Sequence, residues 1–279
     1  MAEMSWQGAT KIVNPRKIRQ RGALYVAEYR LRNMSKFAGV IVAFGLGNPV
    51  LYLASVGLGI GALVDNNLGA AGVDGVSYLV FLAPALLASA AIQGTMDETM
   101  FPTLAGFVWM RNFYAMNSTA LTGAQIARGV LLSALSRTLF TVFIYWSVLW
   151  IFGAVDATSS VWLIPSAIFA GWACGAAMLA GASYVESDDG FFAIVGRFVI
   201  APMFLFSGTY YPLETLPVFL QWIGWISPLW HATELGRTLS YGDVSTNVSM
   251  TVFHVATLAI MGFVCMKIAE RKYSMRLAA

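Results

Sequence analysis

The chain has 279 residues, of which 58% are hydrophobic and only 11% are charged, with a formal net charge of +3. A soluble domain carries about 25% charged residues, so these few charges cannot cover so much apolar surface. The composition excludes a soluble enzyme, a secreted disulfide scaffold and a disordered protein, and the small net charge gives no reason to expect a nucleic-acid partner. The sequence therefore predicts an integral membrane protein.

Six apolar stretches are long enough to cross a bilayer, which takes about 20 residues in a helix. We predict transmembrane helices at Phe37–Val64, Tyr78–Leu104, Ile126–Phe152, Val161–Tyr184, Phe191–Tyr210 and Val248–Ile268. The expected fold is thus an all-α membrane protein with six transmembrane helices. Its single transmembrane domain covers residues 37–272, between a cytoplasmic arm at 1–36 and a cytoplasmic tail at 273–279.

The positive charges define an orientation. With six spans, every lysine and arginine except Arg237, of 17 in all, falls on the side that holds both ends of the chain. Because lysine and arginine are enriched in cytoplasmic loops, both termini are expected in the cytoplasm.

The arm contains a predicted helix from Gly22 to Ser35, with Leu24, Ala27, Leu31 and Met34 at helical spacing. We interpret it as an amphipathic helix at the membrane interface, with Arg21, Arg30 and Lys36 facing anionic lipid. The alternative is a solvated basic leader.

Two adjacent acids, Asp97 and Glu98, lie about 20 residues into the second apolar run. If the helix continues through them, they lie within the bilayer, where a charge is costly and usually paired. Arg137 lies at a comparable depth on the third predicted span, so we predict an intramembrane ion pair between Arg137 and one of the acids, with Glu98 favoured. The alternative is that the helix ends at Met96 and both acids are hydrated.

The segment between the second and third spans is rich in aromatic residues although it is expected in the cytoplasm. Exposed aromatics with an arginine are typical of a partner surface, or of a turn resting on lipid headgroups. The residues concerned are Phe107, Trp109, Arg111, Phe113 and Tyr114.

The segment after the fifth span lies on the outer side in this topology. Prolines at its helix starts predict two short helices, Pro217–Ile226 and Pro228–Leu239, which form a re-entrant hairpin rather than a seventh span. The aromatic residues there indicate an outer interfacial belt or gate: Tyr210, Tyr211, Trp222, Trp225 and Trp230.

Metal and nucleotide sites are not expected in this chain. His231 and Glu234 could bind zinc, but no third ligand is nearby, and a local ion pair of Glu234 with Arg237 is the simpler interpretation. The remaining histidine, His254, has no recognisable partner in the sequence. The chain also lacks a G-x-x-x-x-G-K-[ST] sequence, so it has no phosphate-binding loop of its own.

The order of these features, together with SGTYYPLETLPVFLQWIGWISP at Ser207–Pro228, resembles the type-2 ABC exporter permeases. The resemblance extends from Arg21 to Lys272 and is strongest to the nodulation lipo-oligosaccharide and daunorubicin-type drug exporter permeases. It implies that Thr103–Thr119 holds a coupling helix that docks on the ATPase subunit. Its contact residues would be Phe107, Trp109, Arg111, Phe113 and Tyr114. The family's usual proline after this helix is Ala120 here.

The resemblance also implies how the protein works. Two copies of a separate ABC ATPase bind ATP and Mg, two permeases (identical or homologous) face each other, and the membrane-bound pair exports a compound. We expect a permease of the bacterial plasma membrane without its own cofactor, exporting an amphipathic or hydrophobic compound of drug-like or lipid-like type. Export of a polysaccharide or lipid-linked glycan is the alternative. An intramembrane enzyme, which would use His231 with Glu234, is the alternative from another class.

Overall fold

The computed structural model describes residues 15–68, 72–187, 190–242 and 248–278. Residues 1–14 of the expected cytoplasmic arm lie outside this range. In the described residues the chain forms ten helices of six or more residues, besides a single 3-10 turn at Leu213–Thr215: α1 Pro15–Ser35, α2 Ala38–Asn67, α3 Tyr78–Trp109, α4 Asn112–Asn117, α5 Gly123–Ile151, α6 Ser160–Ala182, α7 Phe191–Phe206, α8 Val218–Ile226, α9 Pro228–Ser240 and α10 Val248–Ala278. The described residues contain no β-sheet, only an isolated β-bridge between Val73 and Val76, so the all-helical prediction is confirmed for this part of the chain.

Five of these helices are long and apolar enough to cross a membrane: α2, α3, α5, α6 and α10. The fifth predicted span, Phe191–Tyr210, is shorter than expected, because α7 ends at Phe206 and the chain bends at Ser207 and Gly208. At 1.5 Å per residue α7 is about 24 Å long, which is less than the ~30 Å of a bilayer's hydrocarbon core.

Helix α3 is the centre of the bundle. It packs against α5, α6 and α9, and its side chains Phe81, Leu82 and Leu87 are completely buried. In contrast, α2 and α10 have large apolar side chains that are exposed on the surface of the bundle, such as Phe44 on α2 and Phe263 on α10. These outer faces fit a lipid or protein environment rather than water.

Helix α1 is attached to the bundle along α5. Gly129 of α5 allows the close approach, since a Cβ atom there would lie 2.5 Å from Cβ of Val26. The Gln125 Nε2 atom, in the capping box that begins α5, donates to the carbonyl oxygen of Ile18 at 2.9 Å. Leu24, on the predicted apolar face of α1, remains exposed. Residues 15–35 are therefore a packed helix, and the alternative of a solvated leader is wrong for them.

Helix α10 passes through the expected boundary between domain and tail at 272/273. It continues to Ala278, and Tyr273 is completely buried against the rings of Phe107 and Phe113. The described part of the tail is thus part of the bundle. We call the end of the bundle where α1, α4 and the last turns of α10 lie the basic end, and the end with α8 and α9 the hairpin end.

Candidate functional site

A charge cluster joins α1, α3 and α5 near the basic end. Helix α3 runs through Asp97 and Glu98 to Trp109, so the alternative in which it ends at Met96 is wrong. One Glu98 carboxylate oxygen accepts a hydrogen bond from Arg137 Nη1. The other lies 3.5 Å from Arg30 Nη2. Glu98 and Arg137 are therefore in contact, while their role in transport stays a prediction.

Arg30 is the member of this cluster that sequence reasoning missed. Its Nε atom donates to Ser133 Oγ at 2.8 Å, and its Nη2 atom donates to the backbone oxygen of Glu98 at 3.1 Å. Burial lowers the pKa of the Arg30 guanidinium below its usual value. The expectation that Arg30 faces anionic lipid is wrong, because the side chain turns into the bundle and binds α3 to α5.

Asp97 does not join the ion pair. Its carboxylate accepts a hydrogen bond from Gln93 Nε2 at 2.7 Å, one turn earlier on α3. Together with Arg137 and Asn48 it lines a cavity of about 300 Å³ between α2, α3 and α5. Acidic, amide and guanidinium groups at this depth of a membrane helix typically line a hydrated or ligand-binding space.

The turn between α3 and α4 sorts the predicted coupling residues into two sets. The last residues of α3, Ala105–Trp109, form a π-helical turn, and Arg111 then takes a left-handed conformation with φ 53°. Phe107 and Phe113 are 2% and 1% exposed, with ring centroids 5.1 Å apart. These two phenylalanines cannot serve as surface contacts, because they form an aromatic core with Tyr273.

The second set stays on the surface. Trp109 is 53% exposed, and Tyr114 and Arg111 are also exposed. Met110, which no pattern in the sequence indicates as a contact residue, is 73% exposed. The turn that leads into α4 therefore presents an apolar and basic surface, which we call the α4 tip and which consists of Trp109, Met110, Arg111 and Tyr114. The buried rings of the two phenylalanines support it from below.

The hairpin end contains the predicted outer aromatic residues in unequal environments. Trp222 and Trp225 are about half exposed, whereas Trp230 is buried and its Nε1 atom has no hydrogen-bond partner in the described residues. Trp230 is therefore a core residue and not part of an exposed belt. The Tyr210 carbonyl accepts a hydrogen bond from the Tyr78 hydroxyl, and the Tyr211 hydroxyl donates to the carbonyl of Leu205.

The two histidines of the chain meet at this end. The Nδ1 atoms of His231 and His254 lie 2.8 Å apart, so the interpretation of His254 as unpartnered is wrong. The Arg237 Nη1 atom lies 2.7 Å from Glu234 Oε1, as the interpretation of a local ion pair predicts. Burial raises the pKa of Glu234, and the charge of Arg237 opposes that shift. Among the described residues no group of three or more acidic, histidine or cysteine side chains is arranged to hold a metal.

Comparison with known proteins identifies the family. The family model for the ABC-2 type transporter matches residues 23–241, which cover most of the chain and all the sites described above except those on α10. The chain belongs to the ABC-2 type transporter family. The resemblance stated from the sequence is thereby confirmed. Membership makes the chain a membrane permease of ABC transport rather than a catalytic enzyme, and implies an ABC ATPase as a partner.

This ABC-2 permease also has curated relatives of similar length. It is 29% identical over 242 residues to Nodulation protein J of Rhizobium leguminosarum bv. viciae, covering 86% of this chain and 89% of the relative. It is 27% identical over 242 residues to Nodulation protein J of Rhizobium meliloti (strain 1021), with the same coverage of 86% and 89%. Nodulation protein J of Neorhizobium galegae is 28% identical over 239 residues, covering 85% of this permease and 87% of that protein.

Proposed function

We propose that this permease is the membrane half of an ATP-driven exporter, which works as a pair of permeases with two copies of a separate ABC ATPase. The observation that carries the proposal is the α3–α4 turn, where exposed Trp109, Met110 and Arg111 stand on the buried rings of Phe107 and Phe113. Such a surface can receive a partner and pass its movement to α3. ATP and Mg bind to the partner.

The proposed topology has six spans with α7 as the fifth, and both termini in the cytoplasm of a bacterial plasma membrane. This orientation places the basic end in the cytoplasm and the hairpin end outside. It is supported by the distribution of lysine and arginine.

The proposed mechanism is alternating access. When the ATPases close on ATP, they pull on the α4 tip, and the aromatic core with Tyr273 transmits this pull to α3 and α10. Because Glu98 contacts both Arg30 and Arg137, α1 and α5 move together with α3. ATP can shift the equilibrium between the inward-open and outward-open states only by the difference in its affinity for these states. Because ATP binds to the ATPase, this difference in affinity arises on the partner.

The proposed substrate is an amphipathic or hydrophobic compound. The cavity between α2, α3 and α5 combines apolar side chains such as Phe44 with the polar groups of Gln93 and Asp97, which fits a molecule with a polar and an apolar part. A lipid-linked glycan is the second candidate, favoured by the same hydrogen-bonding groups. An intramembrane enzyme loses its candidate pair, because His231 pairs with His254 and Glu234 pairs with Arg237.

The test of this function is a double variant of the α4 tip. Trp109→Ala combined with Arg111→Ala removes the aromatic and the basic contact without touching the buried rings, so ATPase activity coupled to transport should fall at least tenfold. Coupled activity is measured in proteoliposomes that contain the permease and its ATPase. Trp150→Ala is the matched control, since Trp150 in the last turn of α5 is 52% exposed and Trp109 is 53% exposed. Unchanged complex formation and unchanged coupled activity in the double variant would refute the assignment.

The same proteoliposomes separate the substrate candidates. Stimulation of ATP hydrolysis is measured with lipid-like and drug-like amphiphiles in one series and with lipid-linked oligosaccharides in another. Stimulation by the first series alone supports the amphiphile, and stimulation by the second alone supports the glycan.

A further inference from the structure

A groove of about 700 Å³ lies beside the α4 tip at the basic end. It is formed by α4, the segment after α6 and the last turns of α10, and we call it the C-terminal groove. Its lining residues are Arg111, Tyr114, Glu186, Lys272, Met275 and Arg276. Three of these six carry a positive charge and one carries a negative charge.

The three cations are held in place by different means. Arg276 donates to the carbonyl oxygens of Ser183 and Val185 at 3.0 and 2.7 Å. The Lys272 Nζ atom lies 4.5 Å from the ring centroid of Tyr184. The Arg111 side chain has no hydrogen bond or ion pair to the described part of the chain, and its left-handed backbone is one that non-glycine residues adopt at a cost. The groove thus holds positive charge that the described chain does not neutralise.

The position of the groove along α10 favours a protein over lipid headgroups as its occupant. Taking Ile268 as the last residue in the hydrocarbon, Lys272 lies about 6 Å and Arg276 about 12 Å further along the helix. The headgroup layer on one side of a bilayer is only about 5–8 Å thick. Lys272 therefore lies at the level of the headgroups, and the Arg276 end of the groove extends past them into the space where a soluble partner subunit would dock.

We infer that the C-terminal groove receives an acidic segment of the partner ATPase, so that α10 and the α4 tip form one composite docking surface. The inference rests on the proposed function, and it adds a chemistry for the partner and a role for the end of α10. Carboxylates of that segment would pair with Lys272 and with the guanidinium of Arg111, which has no ion-pair partner among the described residues, while the exposed side chains of Tyr114 and Met275 supply apolar contact. Charge complementarity of this kind increases the association rate and selects the partner.

The experiment measures binding of the purified partner ABC ATPase to the full-length permease in nanodiscs of neutral lipid. Arg111→Glu and Lys272→Glu are each expected to weaken binding about tenfold at low salt, with a smaller difference at high salt. Arg271→Glu is the matched control. It makes a similar charge change at the neighbouring position of the same helix, where the side chain is exposed and outside the groove. The affinity of the Arg271→Glu permease for the ATPase should stay within twofold of the wild-type value.

Two further measurements keep the outcomes distinct. Lys272→Arg preserves the charge and should bind within twofold of wild type, which separates loss of charge from loss of folding. Anionic phosphatidylglycerol is then added, and thermal stability is compared between wild type and Lys272→Glu. If Lys272→Glu loses stabilisation by this lipid but binds the ATPase normally, the groove is a lipid site and the inference is overturned.

Failure of the inference and failure of the proposed function give different results. If wild-type permease binds the ATPase and both groove variants bind equally well, only the groove assignment is wrong. Equal losses for Lys272→Glu and Arg271→Glu also contradict it, because they show a general effect of charge. If wild-type permease does not bind the ATPase at all, the proposed function itself fails.

Discussion

The basic end and the hairpin end of the bundle handle buried polar groups in opposite ways. At the basic end, charged residues pair across helices that are distant in sequence: Glu98 contacts Arg30 and Arg137, and Glu270 lies 2.6 Å from Arg128. At the hairpin end the ion pair is local, between Glu234 and Arg237. Of the seven buried side-chain polar atoms that lack a partner in the described residues, five lie at this end, on Thr209, Trp230, Thr233, Arg237 and Tyr241.

This difference indicates which end is fixed and which can rearrange. A buried polar group without a hydrogen-bond partner lowers the stability of its conformation by about 1–3 kcal/mol. A second conformation that pairs or hydrates this group can therefore be close in free energy to the present one. The charges inside the basic end are paired across helices, so this end should move as a block. In the proposed transport cycle, the hairpin end is then the part that changes its internal contacts when the pathway opens.

The largest effect is expected from the aromatic core under the α4 tip. Phe113→Ala removes a ring that is 1% exposed, and truncating a buried phenylalanine costs about 3–5 kcal/mol. Trp109→Ala, at an exposed position two residues before Arg111, should change the free energy of unfolding by less than about 0.5 kcal/mol. Denaturation in mixed micelles measures both. Equal losses of unfolding free energy in Phe113→Ala and Trp109→Ala would contradict the division of these residues into a buried and an exposed set.

The next effect concerns the charge cluster. Glu98→Gln removes the carboxylate that both Arg30 and Arg137 contact, and breaking such a pair inside a protein costs about 3 kcal/mol. Arg137→Gln should cost less, because Glu98 keeps its contact with Arg30, and the double variant should recover part of the loss seen in Glu98→Gln. Arg32→Gln is the control, because Arg32 pairs with Glu28 on the surface, where such a pair contributes less than about 1 kcal/mol. Strictly additive losses in the double variant would mean that Glu98 and Arg137 act independently.

The sequence could predict features that depend on local pattern or simple geometry. Prolines at 217 and 228 marked two short helices, and the structure has helices at Val218–Ile226 and Pro228–Ser240. Counting the rise along two antiparallel helices placed Glu98 and Arg137 at one level, and they are in contact. The apolar runs located the long helices, but they could not show that α7 ends at Phe206.

The features that the sequence could not predict depend on how side chains are rotated and on distant contacts. Phe107 and Trp109 are both aromatic and lie two residues apart, so the sequence gives no reason to separate them. The π-helical turn at Ala105–Trp109 nevertheless directs Phe107 into the protein and Trp109 to the surface. Arg30 reaches Glu98 across 68 positions of the chain, and His231 reaches His254 from another helix. No spacing rule within a single segment indicates such pairs.

A smaller effect compares two buried threonines, one at each end. The Thr103 hydroxyl at the basic end lies 3.0 Å from the Tyr273 hydroxyl, whereas the Thr233 hydroxyl at the hairpin end has no partner in the described residues, and both side chains are completely buried. Thr103→Val should destabilise the protein by about 1 kcal/mol, while Thr233→Val should stabilise it by up to about 1 kcal/mol. Thermal unfolding of the two variants measures this difference in sign. A loss in Thr233→Val as large as that in Thr103→Val would contradict the contrast between the two ends.

The most direct test of where the ATPase binds places a photo-crosslinking amino acid, benzoylphenylalanine, at one exposed apolar position of each end. Met110 at the α4 tip is 73% exposed, and Ile226 at the end of α8 is 72% exposed, so the two positions are equally available to a partner. With the partner ABC ATPase present, a crosslink to the ATPase is expected from position 110 and none from position 226. A crosslink from position 226, or its absence from position 110 in a complex that hydrolyses ATP, would contradict the claim that the basic end couples the permease to its ATPase.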